Sequence, residues 1–432
     1  MAPSIPTIVS LARRGPSVVL TFSLFIYFAL HATRFRLANV WPLQPRGDAS
    51  VLYEESRRIL NAGYRLASEF KLGEMNTVFA YPPSAVLIFN FLGVAGPQIF
   101  VIVWWTLMFA GLVVSLRLSL VGDRLEGTYS WLAVGALGLV VADGAVMWDL
   151  RNANCNVIYL GLVLLGYATV TNRPVLGGLL IGISVSLKVY SLLIVFWLLL
   201  GAPRRAFTAT IATMVLLWIV LPAVLLGPTG TVAMYSGWFE QLAVVAGDWG
   251  YSMPNHPAQP PLVTLRAAAM AATGTAPFAW QTQALVGAGW AIWFAVLAWY
   301  AWRARKIGKA PSRAALSDWT VLLLAPLPLS PWLEPYHAVP ALIGAIICIL
   351  VALDSRAKGL DRLVALGAVV ALALDRLMPI SISAKGFDVF ARFLLLVLAL
   401  AYLRPRLDSR RSLVGSNDLS MARDEVGFTQ AH

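Results

Sequence analysis

Apolar residues run along this chain in stretches of about 20, each near the length a helix needs to cross a bilayer. The full-length candidates are 16–33, 98–120, 129–147, 153–171, 206–228, 283–302, 316–332, 337–353, 360–378 and 387–403. Two segments break the pattern. "YPPSAVLIFNFLG" (81–93) is too short to cross, and "PVLGGLLIGISVSLKVYSLLIVFWLLLG" (174–201) is too long for one crossing and carries Lys188 at its middle. The pattern predicts an all-α polytopic membrane protein with about 10–13 transmembrane or re-entrant helices.

The charges between the stretches set its orientation. Place Arg13 and Arg14 inside, let the Tyr81-Pro82-Pro83 segment dip in and return, and fold 174–201 into a helical hairpin with Lys188 at its tip. Arg117, Arg124, Arg173, Arg204, Arg205, the cluster 303–313, Arg356 to Arg362 and "RPRLDSRR" (404–411) then share one side, as the positive-inside bias requires. The other face collects 34–83, 149–156, 229–282, 331–337 and 379–386. Irregular backbone at membrane depth is tolerated where protein or a water-filled cavity surrounds it. The two odd segments therefore point to a cavity open on that outer face. In 34–83, Asp48 or Ser50 can cap a short juxtamembrane helix ending at Gly63, with Val51, Leu52, Ile59 and Leu60 as an apolar side lying on the membrane surface.

Composition changes this picture little. The 432 residues are 59% hydrophobic, so no stretch makes a separate soluble domain. Residues 1–403 read as one unit in the lipid bilayer, and 404–432 as a disordered, basic cytoplasmic tail. The net charge of +12 is accounted for by inside loops rather than by a nucleic-acid partner. Arg13 and Arg14 followed by a long apolar run read as a retained signal anchor. Cys155 and Cys348 have neither disulfide nor metal spacing. No repeats are evident. Neither DxD pair, HExxH, Walker loop nor GxSxG occurs, so nothing points to a metal or a nucleotide, and no cofactor is expected.

Chemistry has few places to reside. Asp48 suits a helix cap, and also a general base whose pKa rises at an apolar lip. His337, with Glu334 and Tyr336, makes a polar knot at a helix mouth. Arg151, Asn152, Asn154 and Asn156 crowd one outer turn, where Arg151 is a basic residue on the side otherwise lacking them and suits a phosphate partner. Lys188 can snorkel to an interface, or it can face a cavity and hold a phosphate. Trp238, Trp249, Tyr251, Asn255, His256 and Trp280 in 229–282 fit an aromatic belt or the stacking of a sugar ring.

The segments "GDASVLYEESRRILNAG", "FAYPPSAVLIFNFLG", "NANCNVIYLGLVLLG", "GGLLIGISVSLKVYSLLIVFWLLL" and "LSPWLEPYHAVPAL" resemble, in order and spacing, glycosyltransferase family 87. These are polyprenol-phosphate-mannose-dependent α-1,2-mannosyltransferase-like enzymes of the GT-C superfamily, and the resemblance covers roughly 10–405. It implies a GT-C-type fold, with Asp48 as catalytic base and Tyr81, Pro82 and Pro83 shaping the cavity. It marks Asn156, Lys188 and His337 as the matching polar positions. The chain departs from the family pattern in three places: Asn-Ala-Asn-Cys-Asn replaces Gly-Gln-x-Asn, Ser191 lies where a Pro is usual, and Tyr336-His337 replaces paired histidines.

The resemblance further implies a single inverting displacement on the periplasmic side of a bacterial inner membrane. The donor is a sugar, first of all mannose, on a polyprenyl phosphate, and the acceptor a glycolipid or glycan hydroxyl. Arg151, Lys188 or His337 neutralises the leaving phosphate while Asp48 takes the acceptor proton. Other readings are a GT-C enzyme using arabinofuranose, galacturonic acid or glucose, and a non-enzymatic lipid or solute transporter. The lack of internal repeats speaks against the transporter.

Overall fold

A computed structural model describes residues 49–57 in part, 81–120, 128–244, 261–304, 313–327, 335–373 and 392–407, apart from 95, 202, 277–278, 393 and 406. Among these residues there is no strand. In chain order the helices are α1 (Pro83–Val94), α2 (Pro97–Leu120), α3 (Thr128–Val141), α4 (Asp143–Arg151), α5 (Asn156–Thr169), α6 (Pro174–Leu187) and α7 (Leu192–Gly201). They continue as α8 (Arg204–Val215), α9 (Leu221–Val244), α10 (Pro261–Thr273), α11 (Trp280–Ala304), α12 (Arg313–Leu324), α13 (Ala341–Leu353) and α14 (Gly359–Ala373), with a further helix at Leu394–Pro405, α15.

Among the described residues three helical stretches, Pro97–Leu120, Arg204–Phe239 and Trp280–Arg303, are long and apolar enough to cross a membrane. On α11, Ile292, Val296, Trp299 and Trp302 are exposed, and Trp280 is exposed at the other end. That is an apolar wall with tryptophans towards both ends, as a lipid-facing helix requires. Of the other expected runs, 16–33 lies outside the described residues, while 153–171 and 337–353 form helices of 14 and 13 residues, shorter than the runs. The 129–147 run breaks at Ala142, with α4 starting one residue later. The stretch 229–244, expected to begin a loop, is helical, and Gly227 at φ 69° followed by Pro228 puts the kink where the span was expected to end. Proline lacks the N–H, and glycine alone accepts that φ without strain.

Glycines set the closest helix contacts. A Cβ on Gly111 of α2 would lie 2.4 Å from the Val157 carbonyl oxygen, and one on Gly161 of α5 would lie 2.6 Å from the Gly111 Cα. Helices packed without a hydrophobic drive from water gain most from such close approach. A second seam joins α6 to α8. A Cβ on Gly178 would meet the Ala206 carbonyl and Ala209, and one on Gly182 would meet Thr210 and Thr213. Positions rise together on both helices, so α6 and α8 run parallel. The intervening α7 must therefore travel back, which is the expected hairpin. Its tip is Lys188, in extended backbone (φ −150°, ψ 118°), followed by a 3₁₀ turn at Val189–Ser191.

α1 folds back antiparallel onto α2 through Gly96, φ 92°. Phe89 sits 6.5 Å from Phe100 and 4.8 Å from Trp104, ring centre to ring centre. Residues 49–50, 52–54 and 57 are helical, as expected of the juxtamembrane helix. Its packing differs from the expected surface lie, because Leu52 and Tyr53 are buried and Tyr53 rests 5.1 Å from Phe100. Aromatic burial against the protein outweighs partial burial at a lipid interface, and Glu54 and Arg57 stay exposed.

On the side of the basic loops, Asp318 of α12 is buried. It accepts the Tyr300 hydroxyl at 2.8 Å and pairs with Arg404 at 3.3 Å, tying α11, α12 and α15 together.

Candidate functional site

The turn between α4 and α5 is held open by strain and closed by a carboxylate. Ala153 has φ 47°, a left-handed conformation that costs a residue with a Cβ about 1–2 kcal/mol. Its carbonyl accepts the Trp104 indole at 3.1 Å. Asp149 lies near the end of α4, beyond the apolar stretch 129–147, and is fully buried. Oδ2 accepts the Val157 N–H at 3.0 Å. Oδ1 accepts the Asn156 N–H at 3.3 Å and its side-chain Nδ2 at 2.7 Å. Asp149 thereby satisfies the first amides of α5, the task of an N-cap, from seven residues upstream.

Burial pushes the Asp149 carboxyl from 3.8 up to about 8, against the opposing pull of its Asn156 and Val157 hydrogen bonds and the Lys188 charge. A carboxyl raised on folding favours the fold fully below its unfolded value, and that contribution is lost as pH rises towards the folded value. The stability advantage of the wild type over Asp149→Asn, measured by thermal unfolding in detergent, should therefore shrink between pH 5 and pH 8. An advantage growing over that range would contradict this burial.

The turn presents Asn154, also fully buried. Four donors converge on its Oδ1: the Tyr81 hydroxyl at 2.8 Å, Lys188 Nζ at 3.2 Å, the Cys155 N–H at 2.8 Å and Asn156 Nδ2 at 2.8 Å. Lys188 thus leaves the hairpin tip to meet the α4–α5 turn. Its ammonium lies 4.4 Å from the Tyr81 ring centre and 6.0 Å from that of Tyr190, within cation–π range. Tyr190 in turn packs edge-on against His337, ring centres 5.0 Å apart, and His337 is close enough to Lys188 to interact with it electrostatically. The 3₁₀ turn Pro335–Ala338 that carries His337 packs on α4. Ser84 closes the α1 side by donating to the Ser186 carbonyl at 2.8 Å.

Four separated segments therefore bring Tyr81, Asn154, Asn156, Lys188 and His337 together. All five were candidates from the sequence. Arg151 lies in the last turn of α4 and Tyr336 in the 3₁₀ turn, as backbone positions. Asp48, Asn255, His256 and Glu334 lie outside the described residues. Sequence reasoning missed Asp149 and Tyr190. The signal for Asp149 was a carboxylate in an apolar protein a few residues ahead of an asparagine-started helix. Tyr190 stood two residues from the lysine in an otherwise apolar run. Among the described residues no three His, Cys, Asp or Glu side chains gather as a metal site would require. The arrangement offers the Lys188 ammonium with amide groups and phenols around it, and these suit an anion flanked by hydroxyl groups.

The profile of glycosyltransferase family 87 matches residues 79–331. No curated protein and no solved structure matches the chain. The matched stretch holds Tyr81, the α4–α5 turn and the broken helix with Lys188, and it spans more than half of the sequence; the chain belongs to glycosyltransferase family 87.

Proposed function

We propose that this membrane glycosyltransferase has a GT-C-type fold and moves a sugar, mannose, from a polyprenyl-phosphate donor to a hydroxyl of an envelope glycolipid or glycan. The observation that carries this reading is Lys188, a buried ammonium at a helix break, held by Asn154 Oδ1 within reach of His337. An ammonium gathered with amide and phenol groups at a break between helices suits a phosphate oxygen. A lipid-borne phosphate brings that group to a bilayer enzyme, and its polyprenyl tail fits among apolar helices.

The chemistry is a direct displacement. The acceptor oxygen attacks the anomeric carbon while Asp48 takes its proton. The bond from anomeric carbon to phosphate oxygen breaks, and the electron pair leaves with the phosphate. Lys188, His337 and Arg151 offset the charge developing there. A pre-placed ammonium costs no reorganisation at that moment, and no metal enters the scheme. The described part of the juxtamembrane helix, which starts at Ala49, docks through Tyr53 on Phe100, one helical turn from Trp104, whose indole bonds the strained turn. That docking supports Asp48, the preceding residue, as a member of the site. The positive-inside pattern supports an active site on the periplasmic face of a bacterial inner membrane.

The test is transfer by the purified protein in liposomes, with labelled mannose, arabinofuranose, galacturonic acid or glucose on a polyprenyl phosphate and extracted envelope glycolipids as acceptors. Transfer of mannose with inversion is expected. Transfer of another of these sugars would correct the donor, and movement of lipid or solute without transfer would overturn the enzymatic reading.

A further inference from the structure

Two buried polar atoms of α5 find no hydrogen-bond partner among the described residues: Asn156 Oδ1 and the Tyr159 hydroxyl. Both residues are fully buried. An unpaired buried polar group costs about 1–3 kcal/mol, so such atoms are kept where something else meets them. Residues three apart on a helix share a face, so the two side chains leave the same side of α5 one turn apart.

The orientation of the Asn156 amide follows from its neighbours. Its Nδ2 donates to Asp149 Oδ1 at 2.7 Å and to Asn154 Oδ1 at 2.8 Å. Turning the amide over would set its oxygen against two acceptor oxygens. Oδ1 is therefore fixed as an acceptor with nothing to accept. Tyr159 belongs to the same neighbourhood, because Asp149, Cys155 and Tyr190 all lie close enough to act on its hydroxyl electrostatically. Its carbonyl accepts the Ser184 hydroxyl at 3.3 Å, which puts it about one turn of α6 below Lys188. An acceptor and a phenol on one face of α5, next to the Lys188–Asn154 cluster, match a hydroxyl that both donates and accepts.

We infer that Asn156 Oδ1 and the Tyr159 hydroxyl form a subsite that reads a substrate hydroxyl, beside the Lys188–Asn154 anchor. This rests on the sugar-transfer reading. The hydroxyl belongs either to the transferred sugar or to the acceptor.

Tyr159→Phe tests it, because it removes only the atom at issue. Deleting a partnerless buried hydroxyl leaves the thermal midpoint unchanged or raises it. If the subsite reads a hydroxyl, the same change raises one KM about tenfold, roughly the loss of one hydrogen bond to a fixed partner. A rise in donor KM assigns the hydroxyl to the sugar, and a rise in acceptor KM assigns it to the acceptor. For the sugar, a donor analogue lacking the hydroxyl that is read reacts poorly with the wild type and no worse with Tyr159→Phe than the parent donor. Unchanged kinetics overturn the subsite. If they come with a lowered midpoint, a buried water or a protein group is the partner instead. A wild type inert towards every polyprenyl-phosphate sugar fails the transfer reading itself, a result distinct from a Tyr159→Phe enzyme that works as well as its parent.

Discussion

Asp48→Asn should lower the rate of sugar transfer by about 10²–10⁴-fold, the range over which a positioned base accelerates a reaction. Asparagine keeps the size and hydrogen-bonding shape of aspartate, and it still caps a helix about as well. The juxtamembrane helix should therefore stay docked through Tyr53 and Phe100. What is lost, on the proposed mechanism, is the ability to accept a proton from the attacking hydroxyl. The measurement is single-turnover transfer from polyprenyl-phosphate mannose at saturating acceptor, alongside the thermal midpoint of each protein. A large fall in rate with an unchanged midpoint is the expected pair of results. A full rate in Asp48→Asn would reduce Asp48 to a cap and move the base elsewhere, with the buried carboxyl of Asp149 the next to consider.

Gly161→Val should abolish the folded protein. Gly161 and Gly111 mark the point where α5 and α2 touch backbone to backbone, and a Cβ at 161 would lie 2.6 Å from the Gly111 Cα. No side-chain rotation relieves a contact with main chain, so the helices must part. Parting them pulls Val157 and Ile158, at the start of α5, away from α2. The Trp104 indole then loses the Ala153 carbonyl, and the turn carrying Asn154 loses its support. The loss also removes packing around Leu160 and Leu164, both fully buried. Overpacking a dense interior costs about 1–3 kcal/mol even where side chains yield, and here they do not. Size-exclusion behaviour in mild detergent checks this directly: Gly161→Val should aggregate where Gly161→Ala is merely less stable. A monodisperse, active Gly161→Val would mean that α2 and α5 do not approach as closely as described.

Hydropathy revealed the helices wherever a run was long and uninterrupted. The stretches 98–120 and 283–302 match α2 and α11 within a few residues. The broken helix around Lys188 was legible too, since a lysine in the middle of so long an apolar run marks either an interface or a break in the helix. Other boundaries were hidden. Nothing in "VADGA" announces the break at Ala142, because alanine and glycine are tolerated on either side of a helix end. Gly227-Pro228, at the expected end of the run 206–228, makes a kink rather than an end, because the chain beyond it continues as helix to Val244.

The site was half legible. Asn154, Asn156, Lys188 and His337 stand out as polar residues in apolar surroundings, and Tyr81 is marked by the family resemblance. Asp149 did not, because helix capping is recognised at a spacing of two or three residues, whereas this carboxylate reaches seven and eight residues ahead across a strained turn. Tyr159 was invisible for another reason. A phenol in a membrane helix reads as apolar filler, and only its neighbours reveal that the hydroxyl is unused.

The parallel seam between α6 and α8 has a consequence for evolution of the enzyme. Gly182 sits six residues from Lys188, about 9 Å along the helix, and its bare Cα faces Thr210 and Thr213 of α8. It sets how deeply the hairpin is seated, and so the height at which the ammonium meets its target. Selection for transfer therefore acts on a residue with no side chain, at a distance from the reaction, much as a shim under a bearing is judged by the running of the shaft.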